Sequence, residues 1–237
     1  KLENGGNLAN GEYLVGPVAE VNGVSYATLA DAINAAKDGE KVNMLASTVC
    51  TENPDLTEVK SVTVDFAQHT FTGDNKNIAI RSKAEGAGVL TLMNGTITTG
   101  DGTYCTLGAA NGSAIVVKDM ILNNSTAFGG SVKAFPGGTI ELRDSQLNSV
   151  KGGGVAAAGG TVNIYNSKID QKEYYDWNSM IAAASNGTGV VNIYGGEFTS
   201  ENYGLYIFTS GGTINVYDGT FTVTGDKPVL KADLDLG

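Results

Sequence analysis

The chain repeats one eight-residue phrase near its end: VNIYNSKI at residues 162–169, VNIYGGEF at 191–198 and INVYDGTF at 214–221. Apolar residues alternate with other residues in each copy, which is the period of a half-buried β-strand. An Asn, Asp or Gly followed by Gly or Ser then permits the left-handed backbone of a tight bend. The phrase therefore predicts a strand, a bend and a second strand.

Earlier copies carry the pattern back to residue 64. They are VDFAQHTF (64–71), LTLMNGTI (90–97), IVVKDMIL (115–122) and IELRDSQL (140–147), of which the first is the loosest. Successive copies start 22 to 29 residues apart, and a second apolar run and a Gly-rich turn complete most repeats. Because such a unit cannot bury its apolar face alone, the repeats predict an all-β, single-stranded, right-handed parallel β-helix of about seven coils over residues 61–237.

A helix is predicted ahead of the coils. Residues 27–37 carry apolar side chains at helical spacing. Thr28 and Asp31 have the arrangement of a capping box, and Gly39 stands where a helix stop is expected. Short strands are predicted on either side of this helix.

Residues 18–60 are therefore expected to form a strand–helix–strand cap on the coils. Such a cap covers core side chains and strand edges that an open end would expose. Residues 1–17 are rich in Gly and Asn, and we expect a flexible segment there. The last residues show no obvious cap, so the chain is expected to be part of a larger multidomain protein.

The charge balance bears on the choice of partner. The 237 residues include 15 Lys and Arg against 25 Asp and Glu, a net charge of −10, which argues against nucleic acid. The single histidine, His69, excludes sites that need two, and we expect it to bond backbone in the first bend. No run of 18 apolar residues occurs, so no membrane span is predicted.

Two stretches resemble the start of pectate-lyase-like right-handed β-helix domains: SYATLADAINAAKDGEKVNML at 25–45 and SVTVDFAQHTFTG at 61–73. The chain is especially similar to non-catalytic repeats of large secreted bacterial surface proteins, in which phrases such as GGEF (195–198) recur. The resemblance covers residues 18–223. It implies a secreted or cell-surface, adhesin-type module, but it leaves the function open because the fold hosts lyases, esterases, hydrolases and adhesins.

Outward-facing columns are the first candidate site. The second and fourth residues of each phrase point outward, and in the first copy these are Asp65 and Ala67. On the last three coils the two positions hold Asn163, Asn192 and Asn215, and Tyr165, Tyr194 and Tyr217. With coils about 4.8 Å apart, they predict an Asn ladder and a Tyr ladder. Two interpretations stay open: stacking that stabilises the sheet, or rings and amides that bind a sugar.

An extra segment in the longest repeat is the second candidate site. The sequence QKEYYDWN at 171–178 contains Tyr174, Tyr175, Asp176 and the only tryptophan, Trp177. We expect a projecting loop whose aromatic and acidic side chains suit contact with a glycan or a host-surface protein. The alternative is that Trp177 folds back over the coil edge.

A polysaccharide lyase acting on an acidic polysaccharide is the alternative function. It would need carboxylates that bind Ca²⁺ and an Arg or Lys base. The residues that the register brings together for such a role are Lys118, Glu141, Arg143 and Asp144. No lyase motif accompanies them. The leading prediction is therefore a non-catalytic module without a cofactor, which binds a glycan or host protein or acts as a stiff stalk.

The two cysteines, Cys50 and Cys105, admit two interpretations. In an extracellular chain they could form a disulfide between the region after the cap and the second coil. Alternatively, they are small buried residues or free thiols. The spacing alone does not decide between these.

Overall fold

A computed structural model describes residues 16–50, 53–73, 78–100, 103–125, 130–149, 152–172, 179–183, 188–201, 203–207 and 211–232. Within these ranges the protein is a β-solenoid of mostly parallel stacked strands, with about six turns and very little helix. The predicted all-β parallel architecture is confirmed. The repeats predict about seven coils, and the structure has about six turns.

The elements follow one another as short strands with one helix near the start of the described residues. In chain order they are β1 (Ala19–Val21), β2 (Val24–Tyr26), α1 (Leu29–Ala35), β3 (Lys41–Met44), β4 (Thr48–Cys50), β5 (Asp55–Leu56), β6 (Ser61–Asp65), β7 (Thr70–Gly73), β8 (Ile78–Ser82), β9 (Val89–Thr99), β10 (Cys105–Ala109), β11 (Ala114–Asn124), β12 (Gly130–Ala134), β13 (Thr139–Arg143), β14 (Gln146–Ser149), β15 (Gly153–Ala157), β16 (Thr161–Tyr165), β17 (Ser167–Gln171), β18 (Ser179–Ala183), β19 (Val190–Ser200), β20 (Tyr203–Ile207), β21 (Thr213–Val223) and β22 (Leu230–Ala232).

Each turn of the solenoid has three straight segments, and stacking them gives three faces. The first face contains β3, β6, β13, β16 and the first halves of β9, β11, β19 and β21. The second face contains β4, β7, β14, β17 and the second halves of the same long strands. The third face is β5–β8–β10–β12–β15–β18–β20–β22, all parallel.

The core is built from columns of identical or similar apolar side chains. Ile115, for example, pairs with Leu90 on one side and Ile140 on the other, and all three are fully buried. Each such side chain contributes about 1.5 to 3 kcal/mol relative to an exposed one. In-register parallel pairing therefore places apolar residues on apolar residues throughout the stack.

The first coil departs from the predicted register. Thr63 pairs with Thr91 and Asp65 with Met93, so Thr63 and Asp65 occupy the two outward columns rather than Asp65 and Ala67. The cause is a longer bend, in which Ala67 and Gln68 both have positive φ. Because the bend is longer, the strand before it, β6, lies two residues earlier in the sequence than the phrase alignment places it.

A buried polar column lines the corner between the second and third faces. Its members are aligned and almost fully buried: Thr99, Asn124, Ser149, Gln171 and Ser200. Several bonds hold them, including Asn124 Nδ2 to Ser131 Oγ at 2.6 Å and Ser200 Oγ to Gln171 Oε1 at 2.8 Å. These side chains form hydrogen bonds with one another and with the backbone where the chain turns. Their burial therefore avoids the free-energy penalty of unpaired polar atoms.

The helix of the cap begins and ends with side-chain contacts. Thr28 is the N-cap, and its Oγ1 accepts a hydrogen bond from the Asp31 backbone N–H at 3.0 Å, as predicted. The helix ends at Ala35, before the predicted stop at Gly39. There the buried Lys60 ammonium donates to the carbonyl oxygens of Asn34 at 2.9 Å and Ala36 at 2.7 Å. The Lys60 ammonium, one residue before β6, thus binds the C-terminal end of the helix and joins the helix to the parallel strands.

Replacing Lys60 should therefore weaken the junction between cap and solenoid. The Lys60 side chain is 8% exposed, and we expect Lys60→Met to lower the free energy of unfolding by about 2 kcal/mol, because two carbonyls lose a charged donor. The matched control is Lys41→Met, which removes a half-exposed contact to Asp65 and should cost less than about 1 kcal/mol. Urea denaturation followed by circular dichroism measures both; equal losses would contradict this role for Lys60.

Candidate functional site

The Asn ladder is present on the first face. Asn192 Nδ2 donates to Asn163 Oδ1 at 2.9 Å, and Asn215 Nδ2 donates to Asn192 Oδ1 at 2.8 Å. The three side chains are half-buried and stand at aligned positions of β16, β19 and β21. The central amide uses both a donor and its acceptor within the ladder, which leaves it little capacity for a ligand.

The Tyr ladder runs beside the Asn ladder. The ring centroids of Tyr165 and Tyr194 are 4.6 Å apart with planes 5° from parallel, and those of Tyr194 and Tyr217 are 4.8 Å apart at 2°. The guanidinium carbon of Arg143 lies 4.0 Å from the centre of the Tyr165 ring, within cation–π range. We call this stack of Arg143, Tyr165, Tyr194 and Tyr217 the aromatic pile.

The pile determines which ring surfaces a ligand could reach. Both faces of Tyr165 and Tyr194 are covered by their neighbours in the pile, so a sugar ring cannot lie flat on either. Tyr217, which is 64% exposed, has a neighbour on one face within the described residues. Ring edges and phenol oxygens therefore form the accessible surface of the inner pile. This geometry favours the stabilising interpretation of the ladders over a sugar platform.

Close stacking also changes the chemistry of the phenols. Loss of hydration, together with the neighbouring phenols of Tyr165 and Tyr217, raises the pKa of Tyr194 above its ordinary value of 10.0. The cause is that a phenolate at this position would be poorly solvated beside two further phenols. The stacking therefore favours the neutral form of the Tyr194 phenol.

The four residues considered for lyase chemistry lie on adjacent coils. Arg143 Nε and Nη2 donate to Glu141 Oε2 at 2.9 and 2.6 Å, and this bonding raises the pKa of Arg143 above its ordinary value. Asp144 has a positive φ in the bend and accepts from Asn166 Nδ2 at 2.8 Å. Lys118 is exposed and pairs in register with Arg143. A guanidinium held this way is a cation and not a proton acceptor.

An open groove of about 540 Å³ follows the bends between the first and second faces. It runs over four coils and is flanked by the aromatic pile. The polar side chains along it are Asp119, Asp144, Gln146, Asn166, Lys168 and Glu197. Sequence analysis missed this groove because bend chemistry alone explains an Asp or Asn at these positions.

Two serines form part of the lining. Ser145 Oγ accepts from the Met120 N–H, and Ser167 Oγ accepts from the Ser145 N–H, both at 3.2 Å. Each hydroxyl also donates to the carbonyl two residues earlier. The serine hydroxyls therefore replace strand pairing where the backbone bends.

The second candidate site falls largely outside the described residues. Tyr174, Tyr175, Asp176 and Trp177 all lie there. Of the predicted segment 171–178, Gln171 is buried and donates to the Gly152 carbonyl at 2.9 Å, and Lys172 is exposed.

Cys105 is a free thiol buried in the third face. Burial raises its pKa to about 12, so it is protonated at neutral pH. Of the two interpretations of the cysteines, the structure supports the buried thiol for Cys105.

The described residues show neither a cluster of metal ligands nor a membrane-spanning helix. Among the residues the structure describes, no group of three or more His, Cys, Asp or Glu side chains could hold a metal ion. In the same part of the chain, the helix is neither long nor apolar enough to cross a membrane.

Comparisons with known proteins find no family model, no curated protein and no solved structure that matches this chain. The parallel β-helix architecture therefore stands on the structure itself. Membership of the pectate-lyase-like or adhesin-type group remains a prediction.

Ionisation of the aromatic pile should make the protein less stable at alkaline pH. Folding raises the pKa of Tyr194. The contribution of its neutral phenol to the free energy of unfolding is therefore complete below pH 10 and is lost as the pH rises through the pKa of the folded state. Tyr194→Phe keeps the ring but removes the titrating group, so its melting temperature should fall less between about pH 9 and pH 11 than that of the unmodified protein. Tyr26→Phe, outside the pile, serves as control and should follow the unmodified protein. Identical profiles for all three would contradict the raised pKa of Tyr194.

Proposed function

We propose that this chain is a non-catalytic module of an extracellular surface protein and that it acts as a stiff stalk. The observation that carries the proposal is the continuous pairing of side chains from coil to coil on the first face. Asn163, Asn192 and Asn215 bond in series, and the aromatic pile runs parallel to them. Bending the solenoid there would break both ladders as well as the backbone ladder.

The contacts of the charged residues support the same proposal. Glu141 and Arg143 bond each other, and Arg143 also covers the Tyr165 ring. Asp144 accepts from Asn166 across one coil. Arg143 and Asp144 thus contact the next coil, and Glu141 holds the Arg143 guanidinium within one strand, whereas a lyase would need a base free to take a proton from substrate. We therefore propose that the module works without a cofactor.

Single-molecule pulling tests the stalk function. With handles at the two ends of the chain, we expect unfolding in steps of about one coil at a high force. Asn192→Ala combined with Tyr194→Ala should lower that force, because two hydrogen bonds and the centre of the pile are lost, at about 1 kcal/mol for each hydrogen bond. Glu197→Ala is the matched control on the same strand, where the side chain is exposed, and should leave the force unchanged.

Two results would contradict a stalk. One is gradual extension of the unmodified protein at low force. The other is an unfolding force in the double variant that equals the control. Circular dichroism on both variants establishes that they fold before they are pulled.

Glycan binding in the groove is the second candidate function. It is favoured by one observation, the open groove of about 540 Å³ with polar side chains from four successive coils. An extended polyhydroxylated chain lying along the solenoid axis would meet an amide, carboxylate or ammonium at each coil. Phenol oxygens at the edge of the pile would add further hydrogen-bond partners.

Calorimetric titration with plant, mucin and bacterial polysaccharides tests this second function. Saturable heat with one glycan that is lost in Gln146→Ala but kept in Asp170→Ala would place binding in the groove, since Asp170 lies on the second face outside the groove lining. No heat with any polysaccharide would leave the stalk function alone. Ca²⁺-dependent formation of ultraviolet-absorbing unsaturated sugars would instead support the lyase and overturn the non-catalytic proposal.

A further inference from the structure

The outward side chains of β3, β6, β9, β11 and β13 on the first face form a surface that we call the β9 patch. In-register pairing aligns them in two columns, which are Lys41, Thr63, Thr91, Val116 and Glu141, and Asn43, Asp65, Met93, Lys118 and Arg143. Both columns have β9 at their centre. Opposite charges stand at equal distances from that centre. Lys41 and Glu141 lie two strands away on either side, and Asp65 and Lys118 lie one strand away.

The middle of the β9 patch is uncharged and largely apolar. Its outward side chains are half-buried, and they are Val89, Thr91 and Met93 on β9 and Ala114 and Val116 on β11. The strands β6, β9, β11 and β13 make their main contacts with other strands of the solenoid. An apolar centre with charged residues at its margin is the composition of a protein–protein contact surface.

The order of the charges makes the patch complementary to itself. Consider two copies that face each other about a two-fold axis parallel to β9. This axis reverses the order of the strands and keeps the two columns, so β9 faces β9, β6 faces β11 and β3 faces β13. Asp65 of each copy then meets Lys118 of the other. Lys41 of each copy meets Glu141 of the other, so four pairs of opposite charges form.

This alignment brings no like charges together. Asn43 faces Arg143, and Met93 faces Met93 of the second copy. Moving the axis by one strand would place Lys118 on Lys118 at β11, or Asp65 on Asp65 at β6. Exposed ion pairs contribute only about 0.2 to 1 kcal/mol each. The main effect of the charges is therefore to select one register over its neighbours.

The ion pairs within one chain fit the same arrangement. Lys41 Nζ lies 2.7 Å from Asp65 Oδ2, and Arg143 Nη2 lies 2.6 Å from Glu141 Oε2. Lys41 would gain a second anion in the facing copy without losing Asp65. The exposed Lys118 would gain the carboxylate of Asp65 from that copy.

We propose that two copies of this chain associate face to face through the β9 patch, with their solenoid axes in opposite directions. The patch measures about 19 Å across its five strands and about 16 Å along them. This footprint is smaller than a standard interface of about 800 Å² per partner, so the dimer is weak and forms reversibly at high concentration. Such lateral pairing goes beyond a stalk that acts alone.

Sedimentation equilibrium over a range of concentrations tests this dimer. We expect the mean mass of the unmodified chain to rise with concentration to at most about twice the monomer mass, because a two-fold contact closes on itself. Lys118→Glu places a carboxylate opposite Asp65 of the second copy and should abolish the rise. The matched control, Lys172→Glu, makes the same charge change at an exposed lysine that follows β17, off the first face, and should keep the rise.

Met93 gives the sharpest test because it lies on the two-fold axis. Met93→Glu and Met93→Lys should each stay monomeric, since two like charges would meet at the axis. A mixture of the two variants should form one-to-one dimers, since opposite charges would meet there. Thr98→Glu and Thr98→Lys are the matched controls on the second-face half of the same strand, and each should dimerise like the unmodified chain.

Several results would overturn the proposal. One is an unmodified chain that is monomeric at every concentration, which would leave the patch to a different partner. Another is a mixture of the two Met93 variants that stays monomeric, or growth of the unmodified chain beyond dimers. An equal loss of association in Lys172→Glu would attribute the effect to net charge rather than to the patch. Circular dichroism establishes that each variant is folded.

Discussion

In-register parallel stacking is the constraint on which the rest of this molecule depends. The inner strands of the solenoid bond to the strands one turn earlier and one turn later, so their side chains stand over their counterparts at the spacing of neighbouring strands. Apolar residues can then form buried columns, amides can bond in series and rings can stack. Opposite charges can pair in the same way, as Lys168 and Glu197 do on adjacent coils.

Much of this arrangement could be predicted, because the constraint acts on local patterns. Alternation with a period of two identified the strands, and an Asp or Asn before a second strand identified bends where Asp119, Asp144 and Asn166 have positive φ. The two ladders followed from comparing the second and fourth positions of the phrase across the last three copies. Thr28 as N-cap followed from its spacing to Asp31.

Other features depend on geometry that no short phrase records. The groove arises from the angle between two faces, and its Asp and Asn residues look like ordinary bend residues. The polar corner column was missed because Asn124 and Gln171 occupy positions that a strand pattern assigns to apolar core. The register of Asp65 depended on the length of one bend. For the ladders, residue type alone allowed both stacking and sugar binding, and the ring distances favour stacking.

The Asn ladder has a direction. Asn215 donates to Asn192 and Asn192 donates to Asn163, so the amide dipoles point the same way and polarise one another. The dipoles of the three amides add, with Asn215 Oδ1 at one end of the series and Asn163 Nδ2 at the other. The three coils that carry the ladder therefore have an electrical direction along the stacking axis, which the near-identical shape of their turns does not show.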